Sequence, residues 1–250
     1  MTTKVAVVGA QGKMGQLVSS IVQSADGFEL FSSIGSRGEL SEMVGADIVV
    51  DVTVPGVSQS VVDCAIGNGI NVLVGTSGWS ADRIATLERT LAATPDVGVL
   101  IVPNFSLGSV LATSFAVAAA RFFESIEIVE AHHASKVDSP SGTATRTAEL
   151  MGAARGALGP VVAPHVDQRA RGQQVSSIPI HSLRLQGVVA RQDVVFGGTG
   201  EVLTITHETL LPSSYEAGIL LSLRATGATR GVVVGLDSLI DLGRLSKPAE

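Results

Sequence analysis

Lys4-Val5-Ala6-Val7-Val8-Gly9-Ala10-Gln11-Gly12-Lys13-Met14-Gly15 is the stretch on which the fold turns. Lys4–Ala10 is apolar without alternation, which predicts a strand buried on both faces. The three glycines lead into Lys13–Ser24, where Met14, Leu17, Val18, Ile21 and Val22 fall on one helical stripe. Strand, glycine turn and helix in that order predict the first unit of a doubly wound sheet. Working outward, Phe28–Ile34, Asp47–Val54, Asn71–Thr76 and Gly98–Pro103 read as strands. Ser58–Gly67 and Ser80–Ala93 read as helices, the second capped by Ser80. Strands separated by helices of this length imply parallel pairing with right-handed crossovers.

After Pro103 the rhythm changes. Leu107–Phe123 reads as an alanine-rich helix, Ile126–His132 as a strand and Gly142–Arg155 as another helix. From Ile178 to Leu210 strand follows strand, with a hairpin turn at Gly197-Gly198-Thr199-Gly200. Gly156–Ser177, rich in Gly, Pro and Gln, reads as a mobile surface loop. The tail from Ser213 turns helical and ends in the strand-like Gly-Val-Val-Val-Gly-Leu. The expected fold class is therefore α/β: a doubly wound parallel, Rossmann-like nucleotide domain plus a smaller α+β domain with a mixed or antiparallel sheet. Residues 1–103 make up the first, and the second begins at residue 104; the alternating faces of its strands suit another subunit as well as solvent.

Bulk properties narrow the function. A net charge of −6 argues against a nucleic-acid partner, whose phosphates favour a basic face. The apolar start of the chain meets glycine too early for a signal peptide, and no apolar run is long enough to span a membrane. The single cysteine, Cys64, excludes an internal disulfide and fits a reducing compartment, so a cytoplasmic location is expected.

Gly9-Ala10-Gln11-Gly12-Lys13-Met14-Gly15 has the spacing G-x-x-G-x-x-G. Glycine permits the tight turn, and freed N–H groups at a helix N-terminus bind a pyrophosphate. A plain strand-to-helix turn is the competing reading, weakened by the position after a buried first strand. The second strand ends Ser33-Ile34-Gly35-Ser36-Arg37 with no acid before Glu39. An acid there would hold ribose hydroxyls; Ser36 and Arg37, helped by Lys13, suit a 2′-phosphate. NADPH is the expected cofactor, with NADH as the second choice.

Residues 130–144 read Glu-Ala-His-His-Ala-Ser-Lys-Val-Asp-Ser-Pro-Ser-Gly-Thr-Ala. A histidine exchanges protons near neutral pH, a lysine neutralises a carboxylate, and Ser-Gly-Thr opening a helix offers hydroxyls and N–H groups to an anion. Adjacent histidines also suit a metal, but no further His or Cys lies at ligand spacing, so none is expected. Lys136 as a Schiff-base nucleophile would leave the glycine loop unexplained. A structural loop whose Ser-Pro-Ser-Gly-Thr merely caps a helix stays open as an alternative.

The segment E-x-H-H-x-x-K-x-D-x-P-S-G-T-A resembles the signature of the dihydrodipicolinate reductase (4-hydroxy-tetrahydrodipicolinate reductase) family. The likeness extends over essentially the whole chain. Gly75-Thr76-Ser77-Gly78 is similar to the family's G-T-T-G turn, whereas Asp51-Val52-Thr53-Val54-Pro55 departs from its D-F-T-x-P, Val52 replacing an aromatic ring that packs near the cofactor. Val102-Pro103-Asn104-Phe105-Ser106 resembles the P-N-F segment at the hinge, and Ile178–Arg184 the I-P-x-H-x-x-R strand. The resemblance implies that His132 is the general acid and that Lys136 assists protonation and binds substrate. It implies that His133, Ser141, Gly142 and Thr143 hold the substrate carboxylates. It places Gly9, Ala10, Gln11, Gly12, Lys13, Met14, Thr53, Gly75, Thr76, Ser77, Val102, Pro103, Asn104 and Phe105 along the cofactor. It further implies a small dicarboxylated heterocycle as substrate, hydride transfer in diaminopimelate and lysine synthesis, a first domain of residues 1–103 with 213–250, and a second of residues 104–212 that binds substrate and assembles a homotetramer. The competing functions are another NAD(P)-dependent reductase of a small acid and a dinucleotide sensor without catalysis.

Overall fold

The computed structural model describes residues 2–240. The first unit takes the chain through Leu107 and, among the described residues, again from Tyr215 to Ile240. Residues 241–250 of the expected first-domain span lie outside the described residues. The strands β1 (Thr3–Val8), β2 (Phe28–Ile34), β3 (Ile48–Asp51), β4 (Asn71–Val74), β5 (Gly98–Ile101) and β11 (Gly231–Val234) form one sheet. Its order is β11-β5-β4-β3-β1-β2, every pair parallel. The helices are α1 (Lys13–Ser24), α2 (Pro55–Gly67), α3 (Ala81–Leu91) and α6 (Glu216–Thr226). Every residue of β3 and β5 is buried, the continuous apolar signature of strands covered on both faces. Val49, Val72, Val99 and Ala6 form a core against Val61, Val62, Leu87 and Leu91 from the helices.

The second unit spans Gly108–Ser214. It contains α4 (Leu107–Ala119), β6 (Ser125–His133), α5 (Gly142–Arg155), β7 (Gln173–Val175), β8 (Ile178–Leu185), β9 (Ala190–Gly198) and β10 (Glu201–Thr209). The sheet order is β10-β9-β6-β8-β7, with β6 and β8 parallel and the other pairs antiparallel. Ile128 stands opposite Ile180 and Val194, and these pack with Ala148 and Met151 of α5.

Several boundaries differ from expectation for identifiable reasons. The third strand stops at Asp51 rather than Val54 because α2 already begins at Pro55, whose fixed φ suits a first helical turn. α4 ends at Ala119 rather than Phe123; buried Arg155 donates to the carbonyls of Ala120 and Phe123 there, closing the helix end. Gly156–Ser177 is not one structureless loop. It holds two short 3₁₀ turns and then β7, which pairs with the edge of β8. The β9–β10 hairpin turns on two residues, Thr199 and Gly200, with Gly200 at φ 81.

Candidate active site

In the first unit, β1 delivers the chain into a loop shaped by glycine. Gly9 has φ 89, and a Cβ there would stand 2.5 Å from the carbonyl oxygen of Val52. A Cβ on Gly15 would stand 2.2 Å from the oxygen of Gly9, so helix and loop lie closer than any side chain allows. α1 starts at Lys13 behind Gly12, with no side-chain cap and no acid in its first turn. Its uncapped positive end, held next to exposed Gln11 and Gly12, fits a pyrophosphate.

β3 ends at Asp51, which is fully buried. Its carboxylate accepts hydrogen bonds from Thr53 N (3.0 Å), Thr53 Oγ1 (2.6 Å) and the Ser58 hydroxyl. Trp79 Nε1 in turn donates to Ser58 Oγ at 3.0 Å, and Arg83 stacks over the Trp79 ring at 4.3 Å. This chain fixes Thr53 and the Gly75–Ser77 turn together, since Gly75 N and Thr76 Oγ1 both donate to the Asp51 carbonyl. Gly75 is small because the Phe105 ring lies over it: a Cβ would sit 2.7 Å from Phe105 Cε2. Asn104 Oδ1 accepts from Ser106 N at 2.9 Å, shaping the Val102–Phe105 segment. The side chain of Gln11 lies over Gly35, 2.7 Å from where a Cβ would be, while Ser36 and Arg37 are exposed.

In the second unit, alternation along β6 points Glu130 and His132 the same way. His132 Nδ1 lies 2.6 Å from Glu130 Oε2. A carboxylate only accepts, so Nδ1 carries the proton and Nε2 is the nitrogen left for exchange. Arg184, opposite His132 on β8, donates from both Nη atoms to Glu130 at 2.9 and 3.0 Å and to the Asp138 carbonyl at 2.6 Å. Ser141 N completes the set, donating to Glu130 Oε1 at 3.2 Å. Burial pushes the Glu130 carboxyl up, but hydrogen bonds from Arg184, Ser182 and His132 outweigh it and hold the group below the usual glutamate range. Burial disfavours the charged form of His132; Glu130 opposes this, Lys136 and Arg184 reinforce it, and the ring stays below the ordinary histidine range.

Ser141 caps α5, its hydroxyl accepting from Ala144 N at 3.2 Å, so the capping reading of Ser-Pro-Ser-Gly-Thr holds alongside any binding role. Gly142 is exposed and open, and Thr143 is half-buried in the first turn. His133 is exposed, with Nδ1 2.8 Å from Ser135 Oγ. Lys136 donates to both oxygens of Asp138 at 2.6 and 2.8 Å, which holds Asp138 below the usual carboxylate range. Each unit thus gathers its own share of the expected residues. Glu130, Asp138, Arg184 and Asp51 stand inside the motifs quoted above, but the sequence assigned no function to them or to the Ser58–Trp79 link; the signal for Glu130 was its two-residue spacing from His132 on a strand. Among the described residues, no group of three or more His, Cys, Asp or Glu could hold a metal ion. No helix among them is long and apolar enough to cross a membrane.

Two family descriptions match: "Dihydrodipicolinate reductase, N-terminus" over residues 3–105 and "Dihydrodipicolinate reductase, C-terminus" over residues 108–240. The 4-hydroxy-tetrahydrodipicolinate reductase of Clavibacter sepedonicus is 72% identical over 242 residues, covering 97% of this chain and 87% of the relative. That of Streptomyces griseus is 44% identical over 245 residues, covering 96% and 98%. Among solved structures, a dipicolinate-bound dihydrodipicolinate reductase from Paenisporosarcina sp. TG-14 superposes with a TM-score of 0.82 at 28% identity, covering 96% of this chain and all of that one. An amine dehydrogenase from Mycobacterium smegmatis shares the fold alone, with a TM-score of 0.65 at 11% identity.

Proposed function

The chain belongs to the 4-hydroxy-tetrahydrodipicolinate reductase family, oxidoreductases of diaminopimelate and lysine synthesis that use a nicotinamide dinucleotide, and from that premise we propose how its residues divide the reaction. The glycine loop and α1 hold the pyrophosphate, while Thr53, Gly75–Ser77 and Val102–Phe105 form the rest of the cofactor face. When bound, the reduced cofactor supplies the hydride that lands on C4 of dihydrodipicolinate. His132 then gives a proton from Nε2 to C3, leaving tetrahydrodipicolinate. Lys136 leaves Asp138 for a substrate carboxylate; His133, Ser141, Gly142 and Thr143 hold the carboxylates with the N-terminus of α5.

The observation that carries this division is one carboxylate, Glu130, bonded both to the ring of His132 and to the backbone of Ser141. Acid and anion-holding turn are thereby tied together. For the cofactor, NADPH is the preferred form: Gly35 carries no acid to repel a 2′-phosphate, and Arg37 with Ser36 suits one. Assembly as a homotetramer uses the second sheet, whose face opposite Ile128 and Ile180 exposes Leu183, Leu185 and Val202. A biosynthetic role of this kind supports a cytoplasmic location. The deciding experiment follows NADPH oxidation on adding substrate freshly made by a coupled synthase. Oxidation that requires the synthase product is expected; none, with the protein folded, would favour a dinucleotide sensor.

A further inference from the structure

We infer that Glu130 is a positioning residue for the proton transfer: it fixes the tautomer and orientation of His132 and, through Ser141 and Arg184, sets that ring in register with the turn that opens α5. This rests on His132 being the general acid. A histidine in this position has two ways to fail: its proton can sit on the wrong nitrogen, or its ring can rotate about χ2. One carboxylate oxygen at 2.6 Å from Nδ1 removes both faults. The carboxylate is itself immobile, being fully buried and carrying both Nη donors of Arg184, the Ser141 N–H and the Ser182 hydroxyl. A charged group buried this completely is costly unless it is paired. Arg184 supplies that pairing, and it is anchored in turn to the Asp138 carbonyl.

The cluster has a second consequence. His132 faces Glu130 on its own strand, Arg184 on β8, and Lys136 in the following turn, with Asp138 paired to Lys136. With Glu130 ionised, its charge offsets that of Arg184 beside the ring. With Glu130 neutralised, His132 faces two cations alone, and protonating it becomes harder. Loss of the carboxylate should therefore misplace the proton and depress the fraction of acid form together, which a merely structural residue would not do.

Glu130→Gln keeps the shape and removes the charge. The expected result is a kcat lower by on the order of 10²-fold, the scale of general-acid catalysis. The kcat–pH profile should shift to lower pH. Cofactor affinity, read from the sole tryptophan Trp79, should be unchanged. Nitrogen-15 NMR of the His132 ring should report Nδ1–H in the native enzyme and lose that signature in the variant. Should the unpaired Arg184 prevent folding, Glu130→Gln combined with Arg184→Gln removes both charges; it should fold and remain slow with the altered tautomer. An unshifted pH profile, an Nε2–H tautomer in the native enzyme, or recovery of native kcat in the double variant would overturn the inference. His132→Ala separates the two levels: full activity there sinks the acid assignment itself, whereas a slow His132→Ala beside an unaffected Glu130→Gln sinks only the positioning role.

Discussion

Lys136, proposed above to bind substrate, is already paired, both oxygens of Asp138 lying within hydrogen-bond distance of its ammonium. Asp138 is 59% exposed although Lys136 is only 21% exposed, so water can solvate the carboxylate when the pair opens. On the proposed division of roles, a substrate dianion competes with Asp138 for the lysine. Lys136→Ala should raise KM and lower kcat, and inhibition by a planar pyridine dicarboxylate should weaken in parallel; an unchanged inhibition constant would place Lys136 outside the carboxylate site. His132→Ala should instead lower kcat by roughly 10²–10⁴ with cofactor binding intact, because only proton transfer is lost. At the other ligand, Arg37 is exposed and free of an acidic neighbour at Gly35. A charge-assisted contact there is worth about 1.5–3 kcal/mol, so Arg37→Ala should weaken NADPH tenfold or more in isothermal titration while sparing NADH. The difference should shrink with salt. Equal losses for both cofactors would assign Arg37 to the fold or the adenine pocket.

At the scale of elements, the glycine loop is where backbone geometry and binding coincide. Gly9→Ala would put a Cβ 2.5 Å from the Val52 carbonyl at a φ of 89, forcing β1 and β3 apart at the mouth of the loop. Both cofactors should lose affinity by similar factors and Tm should fall; selective loss of one cofactor would contradict a shared pyrophosphate site. Such elements were legible from sequence because their signals are local. α1 and β2 run over the residues that periodicity marks, Lys13–Ser24 and Phe28–Ile34. α5 likewise starts behind its Ser141 cap. The misjudged ends are those set by partners distant in sequence. α4 is stopped at Ala119 by Arg155 from α5, and β7 becomes a strand because β8 offers it an edge. The same division runs through the candidate site. His132, Lys136 and Ser141 stand in one segment and announce their chemistry by type and spacing. Arg184, 54 residues from Glu130, acquires meaning only through the parallel pairing of β6 with β8. Asp51 gave no sign that a buried tryptophan-linked chain would converge on it.

For the whole molecule, the depressed ionisations impose opposite demands on stability and on rate. Glu127, Glu130, Asp138 and His132 all release protons more readily in the folded state than their ordinary values. The unfolded chain therefore binds more protons, and stability rises with pH across each window. The contribution of His132 is present above about pH 6.5 and is lost as pH falls through its lowered value. The carboxylates contribute above roughly pH 4.5 and lose that stabilisation below it, as Glu130 and Glu127 release Arg184 and Arg171. Net charge works the other way, since protonation relieves the self-repulsion of a chain at −6. That repulsion is spread over the surface and screened within about 8 Å at physiological salt, whereas Glu130 is fully buried and its partner Arg184 mostly so, so the local term should win. Rate asks for the reverse, because a general acid works only when protonated. kcat/KM should accordingly climb as pH falls from 8 toward 6, while Tm declines slightly over that range and steeply below pH 4.5. Thermal unfolding followed at Trp79, run beside steady-state assays in the same buffers, tests both limbs. A Tm that holds level or rises from pH 7 to 4 would mean that these carboxylates are not paired in solution. A kcat/KM that falls on acidification from pH 8 to 6 would mean that the proton comes from a group other than His132.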